Sequence, residues 1–261
     1  MSDDERPTTD EQPAPPFDRR RELRHTLLHW LGATAACALL WQLRRVVPFV
    51  ASNLHALIAA VFLYLPTWLV SRRRERFEDY ALTHRPLLRG LVTFAVISAI
   101  VFPLFAVAMW FYYRIVCGWV SAGVAMPGVY RRMCRRFAGT LSRARLRLPK
   151  RFPRLALAQL VVVALPEEYF FRGYVQTRLS RVYPAKRRLF GAPFGWAIIF
   201  TSILFAFGHV LVDFNPLRFA VFFPSLAFGW LRASSGSILA GVLFHACCNL
   251  VSEVLHAMVF V

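Results

Sequence analysis

Acidic residues are scarce in this chain: Asp and Glu together number 14 in 261 residues, against 32 Lys and Arg. Lysine is nearly missing too, since Lys150 and Lys186 are the only two and the other cations are arginines. Cysteine is sparse. The five present (Cys37, Cys117, Cys134, Cys247, Cys248) show no disulfide or zinc spacing, which argues against a stapled scaffold or a zinc-finger type of site. Four of them fall in apolar segments, where cysteine acts as a small hydrophobe. There is no His-Glu-x-x-His run, so the usual zincin signature is absent. No internal repeat and no cleavable signal peptide are expected.

What the chain has in excess is apolar surface. Hydrophobic residues make up 57% of it and the mean hydropathy is +0.46, too apolar for an ordinary soluble domain. The expected fold class is therefore all-α, a polytopic transmembrane helical bundle. The net charge of +18 sits in clusters that flank apolar runs, so anchoring to anionic lipid is the simpler account and nucleic acid is not an expected partner.

Runs long enough to cross a bilayer fall at about 27–43, 46–70, 91–113, 153–179, 196–212, 217–231 and 238–259. That gives about seven spans, with six to eight as the range. Residues 115–129 are apolar but short, and read as a re-entrant piece or an extension of the third span. Residues 1–24 read as a disordered polar tail, 25–130 as N-terminal transmembrane helices, 131–154 as a basic interfacial helix and 155–261 as a catalytic transmembrane core. Pro103 and Pro224 are expected to kink their helices. The positive-inside rule does not give one topology. A cytoplasmic N-terminus with three spans puts the basic segment 131–154 outside.

The most informative residues are Glu167 and Glu168, at the end of the apolar stretch 155–165. An ionisable group at that depth costs about 2.5–3.5 kcal/mol on insertion scales and is by default a functional-site candidate. Glu168 and Arg172 are four apart and share a helix face, so they can pair. Glu167 points about 100° away and keeps no such partner. Two later spans carry His209 and the pair His245 and Asn249, the latter again on one face. Polar groups in a bilayer seek each other, so two carboxylates, a guanidinium, two imidazoles and an amide are expected to form one cluster. Such a cluster can hydrolyse a peptide bond. Glu167 with His209 would activate water, and His245 with Asn249 would stabilise the oxyanion. Glu167, His209 and His245 are also a plausible zinc set with an open position.

Taken together, Glu167-Glu168-x-x-x-Arg172, Phe205-x-x-x-His209 and His245-x-x-x-Asn249 resemble the three signature motifs of the CPBP family, the CAAX proteases and bacteriocin-processing enzymes also called the Abi family. The resemblance covers about residues 155–249. It implies an all-helical intramembrane endopeptidase in which Glu167 and His209 engage the nucleophilic water, His245 and Asn249 stabilise the oxyanion, and Glu168 and Arg172 are essential neighbours. Members have been called both metalloproteases and glutamic proteases, so zinc on Glu167, His209 and His245 stays open. The residues around the first motif also resemble the myxosortase type of C-terminal sorting protease. The implied partners are a protein or peptide substrate with a C-terminal membrane segment and the lipid bilayer. The arginine-rich, lysine-poor composition points to a bacterial inner membrane.

Two rival classes are a proton-coupled transporter, which needs a continuous polar path, and a non-catalytic immunity or scaffold protein. Tyr169, Phe170 and Phe171 read as packing around the site. Asp213-Phe214-Asn215-Pro216 reads as a turn. His25, His29, His55, His84 and His256 lie apart from the motifs, and Glu253 near a membrane boundary.

Overall fold

The computed structural model describes residues 17–83, 86–126, 128–135, 137 and 148–259. Residues 1–16 of the expected tail, residues 136 and 138–147 of the expected interfacial segment 131–154, and His84 lie outside these residues. Among the described residues the protein is an all-α helical bundle with one two-stranded hairpin.

The first helix, α1 (Arg19–Leu43), begins inside the stretch expected as tail. Asp18 explains the early start, because its carboxylate accepts the backbone N–H groups of Arg20 and Arg21 at 2.9 and 3.1 Å. Pro48 opens α2 (Pro48–Arg72), where its missing N–H is not needed. The third helix, α3 (Leu87–Ser121), runs straight through Ile115, so that residues 115–121 extend the third span and form no separate crossing. Its outer face is an exposed apolar stripe of Val92, Val96, Ile100, Leu104, Val107, Phe111 and Ile115 at helical spacing, the pattern of a lipid-facing surface.

A short α4 (Gly128–Cys134) follows, and Cys134 forms a disulfide with Cys117 of α3. The expectation of no disulfide is thus corrected. A bridge between two helices that fold back on one another leaves no signature in the spacing of its cysteines.

Residues 152–182 are one helical run, made of α5 (Phe152–Ala158), a π-type stretch (Gln159–Ala164), α6 (Leu165–Glu168), a second π-type stretch (Tyr169–Val175) and α7 (Gln176–Val182). Pro166 has no N–H and crowds the carbonyl one turn back, and the wider turns before it relieve that conflict. Wider turns of this kind often mark functional sites. A hairpin of β1 (Arg187–Leu189) and β2 (Ala192–Phe194) lies between the expected spans 153–179 and 196–212, turning through Phe190 and Gly191, both at positive φ. Then come α8 (Trp196–Asp213), α9 (Phe222–Ser235) and α10 (Leu239–Val259). Pro224 falls in the first turn of α9, where no intrahelical N–H is lost, and not at an interior kink. The turn 213–216 forms as expected, with Asp213 accepting from the Asn215 N–H and Asn215 from the Leu217 N–H.

Five helices (α1, α2, α3, α8 and α10) are long and apolar enough to cross a membrane. The run 152–182 is excluded from that group by its own charges. The 14 residues of α9 reach only about 21 Å at 1.5 Å per residue, short of a bilayer core of about 30 Å.

The core is aromatic. Phe62, Phe170, Phe171, Tyr174, Phe205, Phe228 and Phe244 are buried together between α2, the run 152–182, α8, α9 and α10. One end of the bundle is closed by ion pairs. Arg178 reaches Glu22 of α1 and, at 2.9 Å, Glu75 beyond α2; Arg181 meets Glu75 at 2.7 Å; Tyr80 donates to Glu75 at 2.5 Å. Burial, with that hydrogen bond, holds the Tyr80 phenol well above its ordinary value. The start of α1, the end of α2 and the end of α7 therefore share one face of the bundle.

Candidate active site

The site is built around Glu168 and Arg172, both completely buried. Four residues apart on a continuous helix, they form an ion pair at 3.0 Å. The rest of the Arg172 guanidinium is satisfied in part, since its Nε is buried without a hydrogen-bond partner. Its Nη2 donates to the Ser225 hydroxyl at 2.7 Å and the Ser225 carbonyl at 3.2 Å, and the group lies over the rings of Phe205 and Phe228 at 4.4 and 4.9 Å. Such an enclosure offsets the large cost of desolvating two charges.

Glu168 then organises α10. Its Oε1 accepts from His245 Nδ1 at 3.0 Å, and the His245 ring stacks on Phe228 at 4.7 Å. The carboxylate accepts and the ring N–H donates, which leaves Nε2 as the free face of the imidazole. His209 is oriented in the same sense, with Nδ1 at 2.9 Å from the Phe205 carbonyl. A carbonyl can only accept, so Nδ1 carries the proton and Nε2 is again free.

Both Nε2 atoms face Glu167. They lie 3.8 Å (His209) and 3.9 Å (His245) from Glu167 Oε2, and that oxygen is buried with no hydrogen-bond partner. These separations are too long for direct hydrogen bonds and suit a bridging water. Glu167 and His209 keep some side-chain exposure, 14% and 26%, while Glu168 and Arg172 have none. The buried pair is a scaffold, and the half-open pair is where a substrate can arrive.

All six expected residues lie on the expected helices, and five of them meet in one cluster. Asn249 stands one turn beyond His245 on α10, but its amide donates to Gln159 at 2.8 Å. Gln159 was overlooked in the sequence, although it is a lone polar residue in an apolar run. Ser225 gave no signal, being one small hydroxyl among aromatics. Gly241 also matters, since a Cβ there would come 3.0 Å from Glu168 Oε2, and only glycine lets α10 approach this closely. Glu253 is exposed and outside the cluster. Glu167, His209 and His245 have the right donor chemistry for zinc, but a tetrahedral ion with bonds of about 2.0–2.2 Å draws its donors closer together than they stand here. Among the described residues no group of three or more His, Cys, Asp or Glu side chains is arranged to hold a metal ion.

Removing the cation tests the scaffold. Arg172→Ala leaves Glu168 buried without its partner and is expected to cost about 3–5 kcal/mol, read as a large fall in the unfolding midpoint in detergent. Arg172→Lys keeps the charge, loses the forked contact with Ser225 and is expected to fall between. A midpoint unchanged by Arg172→Ala would contradict the role given to the pair.

Residues 149–251 match the family model described as Rce1-like, type II CAAX prenyl endopeptidase Rce1-like. No curated protein and no solved structure matches the chain.

Proposed function

We propose, from the match of residues 149–251 to the Rce1-like CAAX endopeptidase model, that the chain is an intramembrane endopeptidase that cuts a protein substrate near a C-terminal or transmembrane segment. The observation that carries this reading is the buried, unpartnered Glu167 Oε2 facing two imidazole Nε2 atoms.

In this mechanism Glu167 holds the attacking water, and His209 Nε2 accepts its second hydrogen and turns a lone pair to the scissile carbonyl. Water oxygen attacks the carbonyl carbon as Glu167 takes the proton. The oxyanion forms on the Asn249 side, where the amide has one N–H beyond the one given to Gln159. The tetrahedral intermediate then collapses and the C–N bond breaks. Glu167 returns its proton to the leaving amine, giving one new carboxyl group, which keeps the water's other hydrogen, and one new amine. His245, held by Glu168, fixes the other side of Glu167 and helps to move its proton. No step passes through a metal.

The orientation of the site follows from both ends of the bundle. Disulfides persist in oxidising compartments, so the Cys117–Cys134 bridge supports a reading in which the end of α3 lies on the outer side of a bacterial inner membrane. The opposite end, with Arg73, Arg178 and Arg181 joined to Glu22 and Glu75, is then cytoplasmic, as the positive-inside rule asks. This arrangement leaves Arg131 and Arg132 of α4 outside, against the positive-inside rule, because a link this short counts toward it.

Two experiments test these points. Wild type and Glu167→Gln are expressed side by side in the native host and the C-termini of membrane proteins compared by mass spectrometry. The variant is expected to fold normally and to lose about 10²–10⁴-fold in cleavage, so that a defined set of proteins keeps its C-terminal segment. Identical termini in both strains, with the variant still replacing a deleted wild type, would favour the scaffold reading. For orientation, intact cells are treated with a reductant and then a membrane-impermeant thiol reagent. Cys134 is expected to be labelled, and a cysteine introduced by Lys186→Cys to be protected until the membrane is opened. The reverse pattern would invert the topology.

A further inference from the structure

Between Leu155 and Leu165 the only polar side chain is Gln159. It is half-buried, as is Asn249 of α10, and its Oε1 accepts from Asn249 Nδ2 at 2.8 Å. An amide in an apolar environment finds a partner or bears the cost of desolvation, and each of these two satisfies the other. The seam beside them is closely set. Ile238, Val242 and Ala246, four apart along α10, are buried in one cluster with Ala164 and Tyr169, and Leu160 and Leu165 pack against it. Glu168 meets His245 and Gln159 meets Asn249, so the two helices run antiparallel across this seam.

Local backbone geometry brings Gln159 to the face of its helix that Glu167 occupies. Eight residues of regular α-helix would leave the two about 80° apart. The π-type stretch Gln159–Ala164 lies between them and turns less per residue, which takes up part of that angle. His245 and Asn249, four apart on α10, share a face. Glu167 stands opposite the first of them and Gln159 opposite the second.

We propose that Gln159 is a positioning residue for hydrolysis: by accepting one N–H of Asn249 it fixes the plane of that amide and directs the second N–H to the oxyanion. The inference rests on the endopeptidase reading and on the oxyanion role given there to Asn249. Gln159 touches no reacting atom and acts only through Asn249. Without it the amide turns about its terminal torsion, which is intrinsically broad, and the donor is present but no longer aimed. The loss falls on the step in which charge develops on the carbonyl oxygen, and substrate binding is spared.

The test uses the full chain in mild detergent and a substrate identified from the Glu167→Gln comparison, with rates expressed per folded enzyme. Gln159→Met keeps the length of the side chain and removes the amide oxygen. It is expected to lower kcat about tenfold with KM unchanged, a smaller loss than the roughly 10²–10³-fold expected of Asn249→Ala, which removes the donor itself. Gln159→Glu keeps an acceptor oxygen at the same reach and is expected to restore most of kcat. In the Asn249→Ala background Gln159→Met is expected to cost nothing further, because the group it orients is gone. A purely structural role predicts a lower unfolding midpoint with kcat per folded enzyme unchanged, or a further loss on top of Asn249→Ala. Either of those results, a rise in KM alone, or a Gln159→Glu variant as slow as Gln159→Met overturns this inference while leaving the endopeptidase reading in place, provided Glu167→Gln is inactive. Identical termini in wild type and Glu167→Gln would overturn that reading and this inference with it.

Discussion

Everything in the candidate site of this protein depends on the cost of burying the Glu168 carboxylate. An isolated carboxylate at that depth would take up a proton or refuse to enter, because burial of a charge without a partner costs several kcal/mol. Arg172 meets it one turn along the helix, Ser225 occupies a further arm of the guanidinium, and the perpendicular rings of Phe205 and Phe228 flank the cation. The pair is therefore fixed in position as well as neutralised. One Glu168 oxygen then sets the tautomer of His245, and through it the direction of the free ring nitrogen. A residue that does not touch the reacting atoms thus decides which atoms can react.

The second constraint is that Glu167 is left out of this arrangement. Glu167 and Glu168 point about 100° apart on the helix, so the helical repeat separates a carboxylate paired with Arg172 from one whose Oε2 is left unpartnered. The wider π-type turns on both sides of α6 belong to the same economy of space. They let a helix containing Pro166 stay continuous while it carries two acidic side chains into an aromatic core. Gly241 then lets α10 come close enough for His245 to reach both glutamates.

Much of this was legible in the residues themselves. Intramembrane carboxylates stand out against an apolar run, four-residue spacing predicts Glu168 with Arg172, and polar groups on separate late helices have only each other to meet. The helical bundle followed from composition with as little difficulty. What was not legible depends on contacts between distant segments. The Cys117–Cys134 bridge has no spacing rule, and the hairpin 187–194 is a short turn between two expected spans. Ser225 carries no charge to betray its role. Asn249 was correctly placed on the His245 face, but its bond to Gln159 arises from the packing of α10 against the stretch before Pro166, which no local pattern encodes. The start of α1 was misplaced because a polar stretch was taken as tail, although Asp18 is a strong helix cap.

The central claim of the proposal is that Glu167 and His209 act as one unit on one water. Groups that act as a unit lose their effects non-additively, so the most direct measurement is a double-mutant cycle. The rate of cleavage of an identified substrate is compared for wild type, Glu167→Gln, His209→Ala and the double variant, each shown to be folded. The account predicts that the double variant is no slower than the slower single variant, within about threefold (roughly 0.6 kcal/mol), inside the scatter expected of such cycles. If the two losses multiply, the residues act independently and the shared-water mechanism is wrong.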